Sequence, residues 1–217
     1  MNLKIKLSLI ISCFLIVGTY AQNTTTISPN GKQLEQFYLN QNVENLWLAG
    51  QHVDWETGKP DDPFATKGIK THCSSFVASV CKQKNIYILR PPQHGTGLLA
   101  SAQYDWLFSK DAAQIGWHQI TDSIYFKAQS LANQGYIVTA VYKNPNPSKP
   151  GHIALVMPDE ITNEAHIQQG PTLIQAGSIN KSAIPFRLGF RHHIDNWDEA
   201  TTTIKFFYNS NSSYTPK

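Results

Sequence analysis

The sequence predicts an α+β domain in which helices come first and an antiparallel β-sheet follows. Three observations predict it. Between residues 33 and 135 apolar residues recur at helix spacing and Gly closes the segments. After Gly135 the character changes, and "YIVTAVY", "HIALVM", "PTLIQAGS", "FRLGFRH" and "TTIKFFY" read as strands. The connections are short and turn-rich, as in "NPNPSKPG". Helices followed by a run of strands argue for a sheet that carries helices on one face. There is no internal repeat and no second domain.

The chain opens "MNLKIKLSLIISCFLIVGTYAQ", with basic Lys4 and Lys6, an apolar run from Leu7 to Gly18, and small residues ending at Ala21. This pattern predicts a secretory signal peptide over residues 1–21. The run is too short for a membrane span, which needs about 20 apolar residues. Cys13 raises a lipoprotein alternative, and the apolar residues that continue past it to Val17 argue against it. The expected location is secreted or periplasmic, with no integral span in the mature chain. Residues 22–32, "QNTTTISPNGK", are expected to form a disordered lead, and residues 33–217 a single domain.

Within that domain "KQLEQFYLNQNVENLWLAG" predicts a helix stopped by Gly50, and "HVDWETGKPDDPFATKG" a loop. A helix is expected over roughly 72–85. "GLLASAQYDWLFSKDAAQ" reads as another, and "SIYFKAQSLANQG" as one closed by Gly135.

Charge excludes some partners. The chain has 18 Lys and Arg against 15 Asp and Glu; without Lys4 and Lys6 the count is 16 against 15. That is no footprint for nucleic acid and no basis for electrostatic capture by an anionic surface. No His-Glu-x-x-His segment and no paired-cysteine zinc pattern occurs, so neither metal nor cofactor is expected.

The cysteines carry the chemistry. Beyond Cys13 only Cys73 and Cys81 occur, both in "KTHCSSFVASVCKQ". On one helix they stand about 12 Å apart. A disulfide needs Cα atoms within about 7 Å, so both thiols are expected to be free. Cys73, Val77 and Cys81 form an i, i+4, i+8 stripe that should face the sheet. Cys81 reads as a small hydrophobe in mid-helix. Cys73 lies in the first turn, where unpaired N–H groups and the dipole favour a thiolate, so a lowered thiol pKa and a nucleophile are expected there.

A nucleophilic cysteine needs a base. The chain has eight histidines. In "KPGHIALVMP", His152 follows Gly151 at the mouth of a strand. On a period of two it shares a face with small Ala154, which a helix end could approach. Gln175, in "TLIQAGS" on the next strand, can accept from the imidazole N–H and orient the ring.

These segments resemble the motifs of the NlpC-type cell-wall peptidases and their CHAP amidase relatives. "HCSSFVASVCKQ" is similar to their cysteine motif, "KPGHIALVMP" to their strand histidine, and "LIQAGS" to the strand that supplies the third polar residue. The resemblance covers roughly residues 70–180 and implies a papain-like fold. It also implies hydrolysis of an amide bond in peptidoglycan stem peptides, through a thioester and without metal. By this match Cys73 is the nucleophile, His152 the base and Gln175 the orienter. His72 and Ser74 then flank the substrate. His72 stands where many relatives carry Asp to hold a substrate ammonium, and Gln175 where His, Asn or an acid is more usual. The stretch 86–120 has no counterpart in the motifs. It offers a substrate groove with Tyr104, Trp106 and Trp117 as walls, although core packing suits at least two of the three. An acyltransferase on the same scaffold and a non-catalytic cell-wall-binding module are the rival readings.

Overall fold

Residues 25–62, 64, 71–193 and 196–212 are described by a computed structural model. The expected signal peptide, with Cys13, lies outside the described residues. Helix α1 (Pro29–Leu39) starts where Ser28 accepts from the Gly31 N–H and Pro29 occupies the first turn, where its missing N–H costs nothing. From residue 25 onward the expected disordered lead is therefore ordered. Thr25 Oγ1 donates to the Asp159 carbonyl at 3.1 Å and Ser28 Oγ to that of Asn133 at 2.8 Å, so tertiary hydrogen bonds hold a polar segment.

Helix α1 ends at Leu39, well short of Gly50. Asn42 and Trp47 adopt positive φ, 52° and 53°, and the chain turns back on itself. The apolar spacing beyond Leu39 serves those turns. Trp47 is buried with its ring edge on Phe76, centroids 5.2 Å apart. Asn180 Nδ2 secures the region by donating to the carbonyls of Val43 and Leu46, both at 2.8 Å. The expected loop that follows contains a small hairpin, β1 (His52–Val53) with β2 (Pro60–Asp62).

The cysteine helix is α2 (Cys73–Gln83), close to the expected span. The next expected helix is two, α3 (Leu99–Leu107) and α4 (Lys110–Gln114). It breaks because the Ser109 side chain accepts from the Ala112 N–H and caps a new helix. An unexpected strand, β3 (Trp117–Ile120), leads to α5 (Ile124–Asn133), closed by Gly135 at φ 94°. Then come β4 (Val138–Tyr142), β5 (His152–Val156), α6 (Asn163–Gln169), β6 (Thr172–Gln175) and β7 (Lys181–Pro185). The short α7 (Phe186–Gly189) and β8 (Lys205–Asn209) finish the described chain. Thus "FRLGFRH" begins as a helical turn rather than a strand. Phe186 and Phe190, four apart, bury together on one side of it.

The six-stranded sheet is antiparallel throughout, in the order β3-β8-β4-β5-β6-β7. Helices cover both faces, not one. On one face Phe76, Val77 and Val80 of α2 pack with Val141, Ile153, Leu155 and Ile174. On the other, Ala128 and Ala132 of α5 and Phe186 of α7 pack with Ala140, Ala154, Val156 and Leu173. Strands buried on both faces read as continuous apolar runs, and "HIALVM" is such a run. No helix among the described residues is long and apolar enough to cross a membrane.

Candidate active site

Cys73 is the first residue of α2, with His72 as N-cap. It is only 4% exposed. Its sulfur meets three backbone N–H groups: its own, that of Ser74, and that of Ile153 in β5. These donors favour a thiolate, but burial outweighs them and pushes the thiol up. The expected lowering of the Cys73 pKa is thus corrected. A helix terminus contributes about 0.3–1 kcal/mol, whereas the effective cost of burying an ion is several kcal/mol. Cys81, fully buried, is pushed up to about 12. Both thiols are free.

His152 is the first residue of β5, and its Nε2 lies 3.1 Å from Gln175 Oε1. The Gln175 amide is oriented from behind, because its Nε2 donates to the Ile179 carbonyl at 3.1 Å. Its oxygen therefore faces the ring, which places the imidazole proton on Nε2 and leaves Nδ1 as the acceptor. A Cβ at Gly189 would come 2.8 Å from Gln175 Oε1, so a side chain there would press on this amide. Phe190 packs its edge on the His152 ring at 4.7 Å, and His193 stacks on it at 5.0 Å with an interplanar angle of 18°. Burial first, then the neighbouring His193, push His152 down to about 4, although the Gln175 bond acts the other way. At neutral pH the ring is uncharged.

The relation of thiol to ring differs from the expectation. Helix α2 packs on the Ile153, Leu155 and Met157 face of β5, where large apolar side chains match its own stripe. The opposite face, with Ala154, is filled by α5 and by the aromatic residues of α7. His152 points to that second face, among Phe190 and His193. The thiol therefore reaches β5 from one side and the imidazole lies on the other, one peptide unit apart along the strand. Among the described residues no hydrogen bond joins them.

A cleft of about 350 Å³ opens over Cys73, walled by His72, Ser74, Thr96, Leu98, Ser148 and Gly151. His72 Nε2 donates to the Gln51 carbonyl at 2.9 Å, and burial lowers its pKa, so it presents a neutral ring. Two expected site residues lie elsewhere. Tyr104 packs on Phe108 at 5.1 Å, and Trp106 sets its edge against Tyr87 at 5.3 Å; neither lines the cleft. Both side chains pack against the core on the α2 face, which explains their apolar character. Trp117, the third aromatic residue considered as a wall, is buried in that core. The 86–120 stretch contributes through Thr96–Ala100 instead.

Sequence reasoning missed Gln103, whose Nε2 donates to the Ser74 carbonyl at 3.2 Å and that of Leu89 at 3.0 Å, holding the first turn of α2. Its signal was a lone amide on an apolar helix. It also missed His193 and Phe190, which no strand period could place. Among the described residues no three His, Cys, Asp or Glu side chains converge as a metal site. No protein-family model matches the chain, and no curated protein matches it.

Proposed function

We propose that the protein is a secreted cysteine hydrolase of papain-like architecture that cleaves an amide bond in peptidoglycan stem peptides. The observation that carries the reading is the pairing of His152 with an oriented Gln175 amide at the same strand end where the Cys73 sulfur meets the Ile153 N–H. A fixed tautomer with a free Nδ1 suits a general base. The substrate class follows from the cysteine, histidine and "LIQAGS" motifs together.

In this mechanism the Cys73 thiol gives its proton to His152 Nδ1 as the sulfur attacks the amide carbonyl. The backbone N–H groups at the start of α2 receive the developing oxyanion. His152 then returns the proton to the departing amine, leaving a thioester. Water attacks the thioester, again with His152 as base, and releases the acid and the free thiol. The pair rests neutral, because burial disfavours both charged forms. Proton transfer in this mechanism requires ring and thiol to come within hydrogen-bond distance, which they do not do in the free protein.

The test is incubation of the protein with purified peptidoglycan and mass analysis of the soluble fragments. Release of fragments with new carboxyl and amino ends, abolished in Cys73→Ala and unaffected by EDTA, supports the reading. Release that persists in Cys73→Ala refutes it.

A further inference from the structure

Three depressions adjoin one another, beginning with the one over Cys73. The cleft over Cys73 shares His72, Ser75 and Thr96 with a small pocket beside it, and that pocket shares Trp55 with an open groove beyond. The groove is also lined by Tyr87, Arg90 and Gln93. Arg90 is held from two sides: Nη1 donates to the Ile86 carbonyl at 3.0 Å, and the guanidinium lies 4.8 Å from the Tyr87 ring centroid. Tyr87 is itself braced by the edge of Trp106.

The charges there do not cancel. Lys82, the other cation of the groove, is paired with Glu56. Among the described residues no carboxylate pairs with Arg90. Its guanidinium has five donors, of which Ile86 takes one. A half-buried, pre-positioned guanidinium beside aromatic walls is a receptor for a planar carboxylate. Trp55 supplies an apolar surface for the chain that carries it.

We propose that these depressions form one extended substrate groove, whose far subsite, Arg90 with Trp55 and Tyr87, binds a carboxylate on the peptide cleaved at Cys73. This rests on the amide-hydrolase reading, and the two are separable by experiment. Cys73→Ala protein, which cannot turn over, is titrated by calorimetry with soluble stem-peptide fragments ending in a carboxylate, and with the same fragments amidated at that end. The expected result is about tenfold tighter binding of the carboxylate form. In Cys73→Ala protein also carrying Arg90→Gln the preference disappears, while Arg90→Lys in the same background keeps part of it through charge alone. Thermal melts establish that both variants are folded. Equal binding of the two forms, binding of neither, or a preference that survives Arg90→Gln overturns the proposal. Arg90-dependent binding without hydrolysis by the unmodified protein would leave the groove standing and remove the hydrolase reading. Hydrolysis with a KM for the carboxylate form unchanged by Arg90→Gln would do the reverse.

Discussion

Replacing Gln175 by Glu converts a neutral orienting group into a charged one. The ring nitrogen and the accepting oxygen are 3.1 Å apart. At that distance, with an effective dielectric near 20, a carboxylate and an imidazolium attract by about 5 kcal/mol. Roughly half of this is offset, because the new charge is buried and turns an oxygen toward the Ile179 carbonyl that Gln175 now serves as donor. The remaining ~2–3 kcal/mol corresponds to about two pK units, which moves His152 from about 4 toward about 6. The base works in its neutral form, so the acid limb of kcat/KM against pH should move upward by about two units. Gln175→Ala removes a bond that raises the His152 pKa, so it should shift the limb the other way or not at all. The assay is hydrolysis of a soluble stem peptide from pH 3.5 to 8, with the imidazole titration followed by NMR. An imidazole in the Glu variant that still titrates near 4, with an unmoved acid limb, would refute the reasoning.

Three further outcomes are expected. Iodoacetamide should label Cys73 and spare Cys81, which is sealed in the core. The rate should keep rising as pH increases above neutrality, because burial pushes the Cys73 thiol up; faster labelling at Cys81, mapped by mass spectrometry, contradicts the assignment. His152 stays neutral in the folded chain down to about 4, while the unfolded chain protonates it near 6.5, so stability should fall between those values by up to about 3 kcal/mol. Urea unfolding at pH 7 and pH 4.5 measures this, and His152→Gln should flatten the difference. Gly189→Ala should press on the Gln175 oxygen and lower kcat by about tenfold at unchanged KM, since one misplaced bond to the base is worth roughly 1–2 kcal/mol; full activity would show that the Gln175 contact is dispensable.

The sheet was legible where its strands are uniformly apolar. "YIVTAVY" and "HIALVM" announce buried strands, and β4 and β5 fall within them. The same uniformity hid which face meets which helix. His152 and Ile153 both sit beside apolar neighbours, so period-two reading could sort residues into faces but could not attach α2 to one of them. Only the fit of Phe76 and Val80 to Ile153 and Leu155 decides it. The Gln175–His152 bond was readable because both residues lie on neighbouring strands, where register is short-range. Tyr104 and Trp106 were misplaced because an aromatic residue on a half-buried helix looks the same as a wall or as packing. The turns at Asn42 and Trp47 escaped for a related reason: a bulky Trp at positive φ leaves no mark in composition, and Asn42, a residue type enriched there, was the one local sign.

Asn180 ties the N-terminal segment to the candidate site. Its Oδ1 accepts from the Gly177 N–H at 2.9 Å while its Nδ2 holds the Val43 and Leu46 carbonyls, and the same turn carries the Ile179 carbonyl that aims the Gln175 amide. A fragment trimmed at residue 50, retaining the cysteine helix and every strand, would leave that amide donor without acceptors and release the turn. Such a fragment would contain every strand and still lose the hydrogen bonds that hold the turn aiming the Gln175 amide. The boundary of the unit that holds this turn therefore lies upstream of the first strand, and deletion mapping that follows sheet content alone would draw it in the wrong place.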